Sequence, residues 1–391
     1  MQSRNSKVTI VLLLSNVFVA FVGIGLVIPV LPTIMNEMNI NGAVVGNMVA
    51  AFAIAQLIAS PFTGKWTDRI GRKPMILLGL LIFSLSELLF GIGQTVELLF
   101  ISRTLGGISS ALIMPAVTAF IADITSEYTR PKILGYMSAA INSGFIIGPG
   151  IGGLLAGLGT RAPFFAASVL AAIAFIISFF LLKEPEQLQA EQTDGEKKVG
   201  PKQIFAQLYF IPLLLLFTST FGLAAFESLF SLFVDHKFHF TPFDIAIIVT
   251  GGGLVGAIAQ VLFFDRLARK LGEIILVRYC FILSAFLVYV MTFVESYFAV
   301  VITSCILFVG FDLIIPAITS YLSKNAAGNE QGFVGGMNSA FTSLGNIFGP
   351  IVGGILFDIN IHYPYLFATA VMILSIAITF VWKKPCNIVK N

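Results

Sequence analysis

The chain has 391 residues, of which 57% are hydrophobic and only 11% charged, and its formal net charge is +3. Soluble globular chains carry about 25% charged residues, so this composition excludes a water-soluble enzyme or binding domain and points to an integral membrane protein. The slight positive balance reflects where Lys and Arg fall along the chain and gives no ground for a nucleic-acid partner.

Apolar stretches of about 20 residues, long enough to cross a bilayer as helices, lie near 8–34, 43–63, 74–94, 97–122, 134–157 and 162–182. A second set lies near 204–234, 242–264, 274–294, 297–322, 332–357 and 363–382. The pattern predicts an all-α membrane fold of twelve transmembrane helices. Residues 183–203, KEPEQLQAEQTDGEKKVGPKQ, form the only long polar run and predict a cytoplasmic linker. It would separate an N-terminal six-helix bundle, 1–182, from a C-terminal one, 204–391. Lys and Arg crowd alternate connections, leaving only Arg161 and Lys237 in the others, so the positive-inside rule puts both termini in the cytoplasm. Residues 8–30 are too long for the apolar core of a signal peptide, and no A-x-A site follows. Cys280, Cys305 and Cys386 offer neither a disulfide framework nor metal-ligand spacing, so neither metal nor cofactor is expected.

The two halves repeat one another. Residues 135–153 read GYMSAAINSGFIIGPGIGG and residues 336–354 read GMNSAFTSLGNIFGPIVGG, with the same Gly and Gly-Pro spacing at an offset of 201 positions. The run from Met114 to Thr118 aligns with Ile315 to Thr319 at the same offset. Duplicated halves in an apolar chain are the mark of many transporters. Within the repeats, Gly144, Gly148 and Gly152, and likewise Gly345, Gly349 and Gly353, lie on one helix face and predict a groove for another backbone. Pro149 and Pro350 each remove a backbone donor in mid-helix, which makes these seams candidates for movement. Gly148–Gly153 and Gly251–Gly256 both satisfy G-x-G-x-x-G, but neither follows a soluble strand, so a dinucleotide site is rejected.

Charges within hydrocarbon are costly, roughly 2.5–3.5 kcal/mol each on insertion scales, and so mark candidate sites. The spans carry Glu87, Arg103, Glu227 and Asp312. Glu227 and Asp312 sit near mid-span, where a carboxyl reached alternately from each side can load and release a proton; an interhelical hydrogen bond is the alternative. Glu87 lies nearer the outer end of its span, where a wet interface is expected. Arg103 is equally compatible with bridging to span 1 or 2 and with relaying protons.

Residues 64–73, GKWTDRIGRK, match the G-x-x-x-D-R-x-G-R-K loop found between helices 2 and 3 of the major facilitator superfamily, and residues 265–272, DRLARKLG, resemble a worn second copy. Arg69 and Arg72 can pair with Asp123, and Asp68 can serve a neighbouring helix N-terminus. The Gly-Pro pattern resembles the helix 5 signature of the family's antiporters. Residues 23–32, GIGLVIPVLP, resemble the helix 1 motif of its twelve-helix drug/proton branch, and residues 99–111, with Arg103, the helix 4 motif. Over nearly its whole length the chain is similar to the NorA/Bmr-type multidrug efflux transporters. That resemblance implies proton-driven export of amphipathic, often cationic compounds from a bacterial cytoplasmic membrane, including fluoroquinolones, dyes and quaternary ammonium antiseptics. It gives Glu227, Asp312 and Arg103 to proton coupling. It gives gating to Asp68, Arg69, Gly71, Arg72 and Asp123 together with the glycine-proline seams. One departure is Ile315, which stands where the family pattern D-x-x-R-P has arginine and leaves Asp312 without a local counter-charge.

The chain has 38 Phe residues, and aromatic faces attract organic cations. Phe21, Phe52 with Gln56, Phe145 with Asn142, Phe308 and Phe311 beside Asp312, and Asn346 are the candidate substrate contacts, together with Glu227. The expected partners are small amphipathic compounds, protons and the bilayer, with the chain acting as a monomer and the proton-motive force as its energy source.

Overall fold

A computed structural model describes residues 2–126, 128–185, 207–325 and 331–382. Most of the expected linker, from residue 186 onward, and Cys386 lie outside the described residues. Among the described residues there are thirteen helices: α1 (Gln2–Leu26), α2 (Leu31–Met38), α3 (Gly42–Ile70), α4 (Arg72–Ile92), α5 (Val96–Ile124), α6 (Arg130–Ala156), α7 (Ala162–Leu181), α8 (Gln207–Phe238), α9 (Pro242–Leu271), α10 (Glu273–Met291), α11 (Tyr297–Asn325), α12 (Gln331–Ile359) and α13 (Tyr363–Val381). Twelve of them are long and apolar enough to cross a membrane.

The extra helix comes from the first predicted span, which does not run unbroken from 8 to 34. α1 stops at Leu26, and the chain turns through residues 27–30, held by Ile28 N–H to Gly25 O at 3.2 Å and Leu31 N–H to Val27 O at 3.1 Å. Pro29 has no amide to continue the α1 ladder, and Pro32 lies in the first turn of α2, where a missing amide costs nothing. Elsewhere prolines sit inside long helices, at Pro61, Pro115, Pro149, Pro212, Pro316 and Pro350, without ending them. Neighbouring helices in a membrane can satisfy the freed backbone groups.

The chain forms two compact units. One contains Met1–Glu191 with Phe230–Gly251, the other Gln192–Leu229 with Gly252–Asn391. In the first, Leu13 and Val17 of α1, Ile76 and Leu80 of α4 and Leu112, Ile113, Ala116 and Phe120 of α5 form one apolar core. Paired serines fasten α4 on both sides. Ser86 Oγ donates to Ser102 O at 2.7 Å and Ser102 Oγ returns a bond to Ser86 O at 2.8 Å. Ser84 and Ser168 do the same between α4 and α7, at 2.9 and 2.8 Å. In the second unit Ser375 Oγ of α13 donates to Thr218 Oγ1 of α8 at 2.8 Å. Buried hydroxyls without such partners would each cost about 1–3 kcal/mol. The remaining faces are apolar, as at Phe180, Val261 and Phe298, because lipid leaves no polar partner for an outward group.

The repeated glycine faces occupy matching places in the two halves. Gly144, Gly148 and Gly152 of α6 lie against α1: a Cβ on Gly148 would stand 2.7 Å from Val22 O and 2.9 Å from Gly25 Cα. Gly345, Gly349 and Gly353 of α12 lie against α8 in the same way, with Phe221 O 2.6 Å and Ala224 Cβ 3.0 Å from a Cβ on Gly349. Helix backbones meet directly along both seams, as small residues at four-residue spacing permit. Pro149 and Pro350 are buried within them.

Candidate functional site

In the second unit α11 carries Phe308, Phe311 and Asp312. Phe311 is buried, and its ring lies 6.2 Å from that of Phe226 on α8. The next residue on each helix is an acid, Glu227 and Asp312, and the two carboxyls are within electrostatic reach of each other. Glu227 is among the few open positions of α8, whose flanking Phe226 and Leu229 are fully buried.

The floor under Asp312 is a second glycine run. A Cβ on Gly256 of α9 would overlap Asp312 Oδ2, and one on Gly252 would overlap the Phe308 ring. Gly252 and Gly256 are four apart, as are Phe308 and Asp312, so the two helices interlock with α9 bare where α11 presents its acid and aromatic. The G-x-G-x-x-G match at 251–256 thus has a positive role that the motif alone does not reveal, since it depends on the register of α11. Ile315, one turn beyond Asp312, is half-buried. Asn346 of α12 is exposed.

In the first unit Phe21 of α1 meets Phe145 of α6 edge to face, with centroids 4.9 Å apart. Asn142, one turn before Phe145, is also exposed. Gln56 Nε2 donates to Ser110 Oγ at 2.9 Å. Phe52 packs over Gly106, where a Cβ would stand 3.1 Å from its ring. Phe21, Phe83, Gly106, Ser110 and Met114 line a small cavity of about 10 Å³ among α1, α4 and α5.

Glu87 differs from its expectation, and Arg103 from one of its two. Among the described residues Arg103 makes no hydrogen bond or ion pair to span 1 or span 2; its Nη2 lies 3.4 Å from Glu87 Oε1 on α4. Glu87 is not at a wet interface, for its side chain is 2% exposed. Position along the span gave its depth, but helix azimuth decides exposure, and Glu87 faces α5. Arg278 of α10 is a further charge within a span. Its Nε donates to Thr379 Oγ1 and an Nη to Thr379 O, both at 2.9 Å, and its guanidinium lies over the Phe380 ring at 3.9 Å.

The loop between α3 and α4 is tightly built. α3 ends at Ile70, and Gly71 turns the chain at φ +114°, a left-handed region that a Cβ disfavours. Arg72 then opens α4 and gathers the loop. Its Nε donates to Asp123 Oδ2 of α5 at 2.8 Å, Nη1 to Thr67 O at 2.9 Å, and Nη2 lies 3.3 Å from Asp68 Oδ1. Arg69, in the last turn of α3, is exposed and contributes no ion pair to this cluster among the described residues. Gly71 separates it from the face that Arg72 occupies.

Sequence reasoning missed Glu184. This residue falls at the start of the polar stretch expected to be a linker, yet its carboxylate accepts the backbone N–H groups of Arg72, at 2.5 Å, and Lys73, at 2.8 Å. It caps the N-terminus of α4, favourable both for the orphan amides and for the helix dipole. No local pattern marks it, because its partners lie more than a hundred residues earlier.

Twelve apolar spans in duplicated halves, with acids set inside the spans, define a membrane transporter rather than an enzyme. The sequence profile of the Major Facilitator Superfamily matches residues 13–336 and 212–389, and the chain belongs to that superfamily. It is 61% identical over 388 residues to multidrug resistance protein 1 of Bacillus subtilis (strain 168), covering 99% of each chain. It is 42% identical over 372 residues to the quinolone resistance protein NorA of Staphylococcus aureus, covering 94% of this chain and 95% of that one. Among solved structures, a bacterial homologue of the human lysosomal transporter Spinster in an inward-facing, occupied conformation superposes with a TM-score of 0.83, covering 96% of each chain at 13% identity. At that identity the likeness concerns the fold alone. The protein is a multi-pass protein of a bacterial cytoplasmic membrane.

Proposed function

We propose that this protein exports amphipathic, often cationic compounds in exchange for protons, by alternating access. The observation that carries the reading is the pair of acids set inside α8 and α11, Glu227 and Asp312, with Phe226, Phe308 and Phe311 beside them on the same two helices. A carboxylate among aromatic faces suits a greasy cation, and a proton can replace that cation on the carboxyl when access switches. Fluoroquinolones, dyes and quaternary ammonium antiseptics are the substrate class; the names of the relatives at 61% and 42% identity, a multidrug and a quinolone resistance protein, support a drug-like range that includes quinolones.

Glu227 and Asp312 would carry the coupling protons and Arg103 would assist. Contacts to substrate would come from Phe21, Phe52, Gln56, Asn142 and Phe145 in one unit and from Glu227, Phe308, Phe311, Asp312 and Asn346 in the other. Gating belongs to the α3–α4 loop with Asp68, Arg69, Gly71, Arg72 and Asp123, and to the two glycine-proline seams. The termini face the cytoplasm, the linker joins two bundles at 183–203, and the protein works as a monomer without cofactor or metal. The driving force suffices: one proton moving inward yields about 2.3 kcal/mol per 100 mV, which sustains a concentration ratio of tens for a neutral drug.

Cells loaded with ethidium test the direction of flux. Collapsing the proton gradient with an uncoupler should raise dye accumulation in cells expressing the protein to the level of cells lacking it. A fall in accumulation would mean uptake, and no change would mean that the protein does not move dye.

A further inference from the structure

The seam between α4 and α5 is rich in satisfied polar contacts. Besides the reciprocal pair Ser86–Ser102, Ser109 Oγ donates to Gly79 O at 2.8 Å. In this setting Glu87 and Arg103, one residue along from the serine pair, are conspicuously under-bonded. They share a single contact at 3.4 Å, while Glu87 Oε2 and Arg103 Nε are buried with no hydrogen-bond partner. A permanent buried ion pair is expected to close as a bidentate fork, because one weak contact does not repay the loss of hydration of two charges. This geometry instead suits a pair that separates and re-forms.

The surroundings permit that separation. The guanidinium of Arg103 lies over the Phe90 ring at 4.4 Å, and Phe90 is stacked on Phe164 at 4.4 Å with an interplanar angle of 17°. The aromatic face stabilises the cation whether or not the carboxyl is charged. Arg161, from the head of α7, binds the carbonyls of Phe90, Gly91 and Gly93 and so fixes the end of α4 that presents the ring. The small cavity lined by Phe83, one turn before Glu87, and Gly106, one turn after Arg103, leaves room of about one water molecule near the pair.

We propose that Glu87 is a third proton-exchanging carboxyl of the transporter, placed in the first unit apart from Glu227 and Asp312. When the pair parts, the carboxylate takes a proton from water, and Arg103 keeps its charge over Phe90. When the pair re-forms, the carboxyl returns that proton to water. Arg103 is the charge that faces Glu87. Of the others on helices packed against α4, Glu97 of α5 is exposed, Arg161 of α7 is engaged with carbonyls, and Asp123 of α5 and Asp68 of α3 are bound to Arg72 at the opposite end. Lys65 and Arg69 of α3 lie at that opposite end too. The proposal rests on the reading of the protein as proton-coupled, and its test separates the two.

Infrared difference spectroscopy of the purified full-length protein in lipid, titrated between acid and neutral pH, counts carboxyls that gain a proton. Glu87→Gln should remove one titrating carboxylic-acid band and leave those of Glu227 and Asp312, and Glu87→Asp should return a displaced band. In reconstituted vesicles the pH profile of ethidium exchange should shift by about one pH unit, a tenfold change in proton concentration, in Glu87→Gln and recover in Glu87→Asp. Identical bands and an unshifted profile in Glu87→Gln would make Glu87 a fixed counter-ion of Arg103 and overturn the proposal, leaving coupling by Glu227 and Asp312 intact. Should Glu87→Gln fail to fold, Arg103→Lys serves: it should displace the Glu87 band, and an undisplaced band counts against the proposal. If no carboxyl titrates at all, the proton-coupled reading itself falls.

Discussion

At the scale of single residues, this transporter relies on what surrounds each charge. Asp312 rests on the bare backbone of Gly256, so a methyl group there must push the carboxyl aside. Gly256→Ala should lower ethidium export at least tenfold while the protein still runs as a folded monodisperse species on size exclusion. Gly251→Ala is the control, since a Cβ at Gly251 meets nothing within 4 Å, and its export should stay at the wild-type rate. Arg72 is a second such point. It holds Asp123, Asp68 and Thr67 together through its three guanidinium nitrogens, and Lys would keep the charge without the fork. Arg72→Lys should destabilise the folded protein by about 2 kcal/mol, the value of a charge-assisted bond, read as a fall in detergent melting temperature; Arg69→Lys should leave that temperature unchanged. The identity of these charged residues is legible in the sequence, because an acid or arginine inside an apolar run stands out. Their partners are not. Glu87 reads as facing a wet interface and Arg103 as either a bridge to span 1 or 2 or a proton relay, because a one-dimensional pattern gives a residue's depth along its span and leaves its facing open.

At the scale of helices, the glycine-proline seams define where backbones touch. α6 lies on α1 and α12 lies on α8, and in each case three glycines four apart take the place of side chains. Gly148→Ala forces a Cβ against Val22 O and Gly25 Cα, both backbone atoms that cannot swing away. Overpacking of this kind costs about 1–3 kcal/mol, so Gly148→Ala should lower the melting temperature, and Gly349→Ala should do so by a similar amount at the matching seam. Gly135→Ala and Gly336→Ala, where a Cβ meets open space, should not. These seams are visible in the sequence because duplication and small-residue spacing both leave a signature there. The break after Leu26 is equally written in Pro29 and Pro32, but an apolar run reads through it, since hydropathy registers depth in lipid and takes no account of a missing amide. Glu184 is the opposite case. Its role as the cap of α4 exists only once α7 has brought the chain back to the start of α4.

At the scale of the whole molecule, the twelve spans follow from apolar length alone, which is why the fold is legible in the sequence. Function requires more. The seams are repeated in both halves, but the acids are not: residue 288, the counterpart of Glu87 at the repeat offset, is Val, and residue 111, the counterpart of Asp312, is Ala. Duplication supplied two matching seams, and the acids within the spans are placed unequally, with Glu227 and Asp312 both in the second half. Ile315 leaves Asp312 without the arginine that the family pattern has one turn away. Introducing it, Ile315→Arg, should change the pH dependence of export, and an unaltered profile would show that the missing cation is immaterial. The central claim is that Glu227 and Asp312 exchange protons for drug. Its most direct test is ethidium movement against its concentration gradient in reconstituted vesicles with an imposed pH difference and the membrane potential clamped to zero. The wild-type protein should concentrate dye on the acidic side, and Glu227→Gln and Asp312→Asn should each abolish that uphill movement; uphill transport at the wild-type rate in both variants, or none in the wild type, would contradict it.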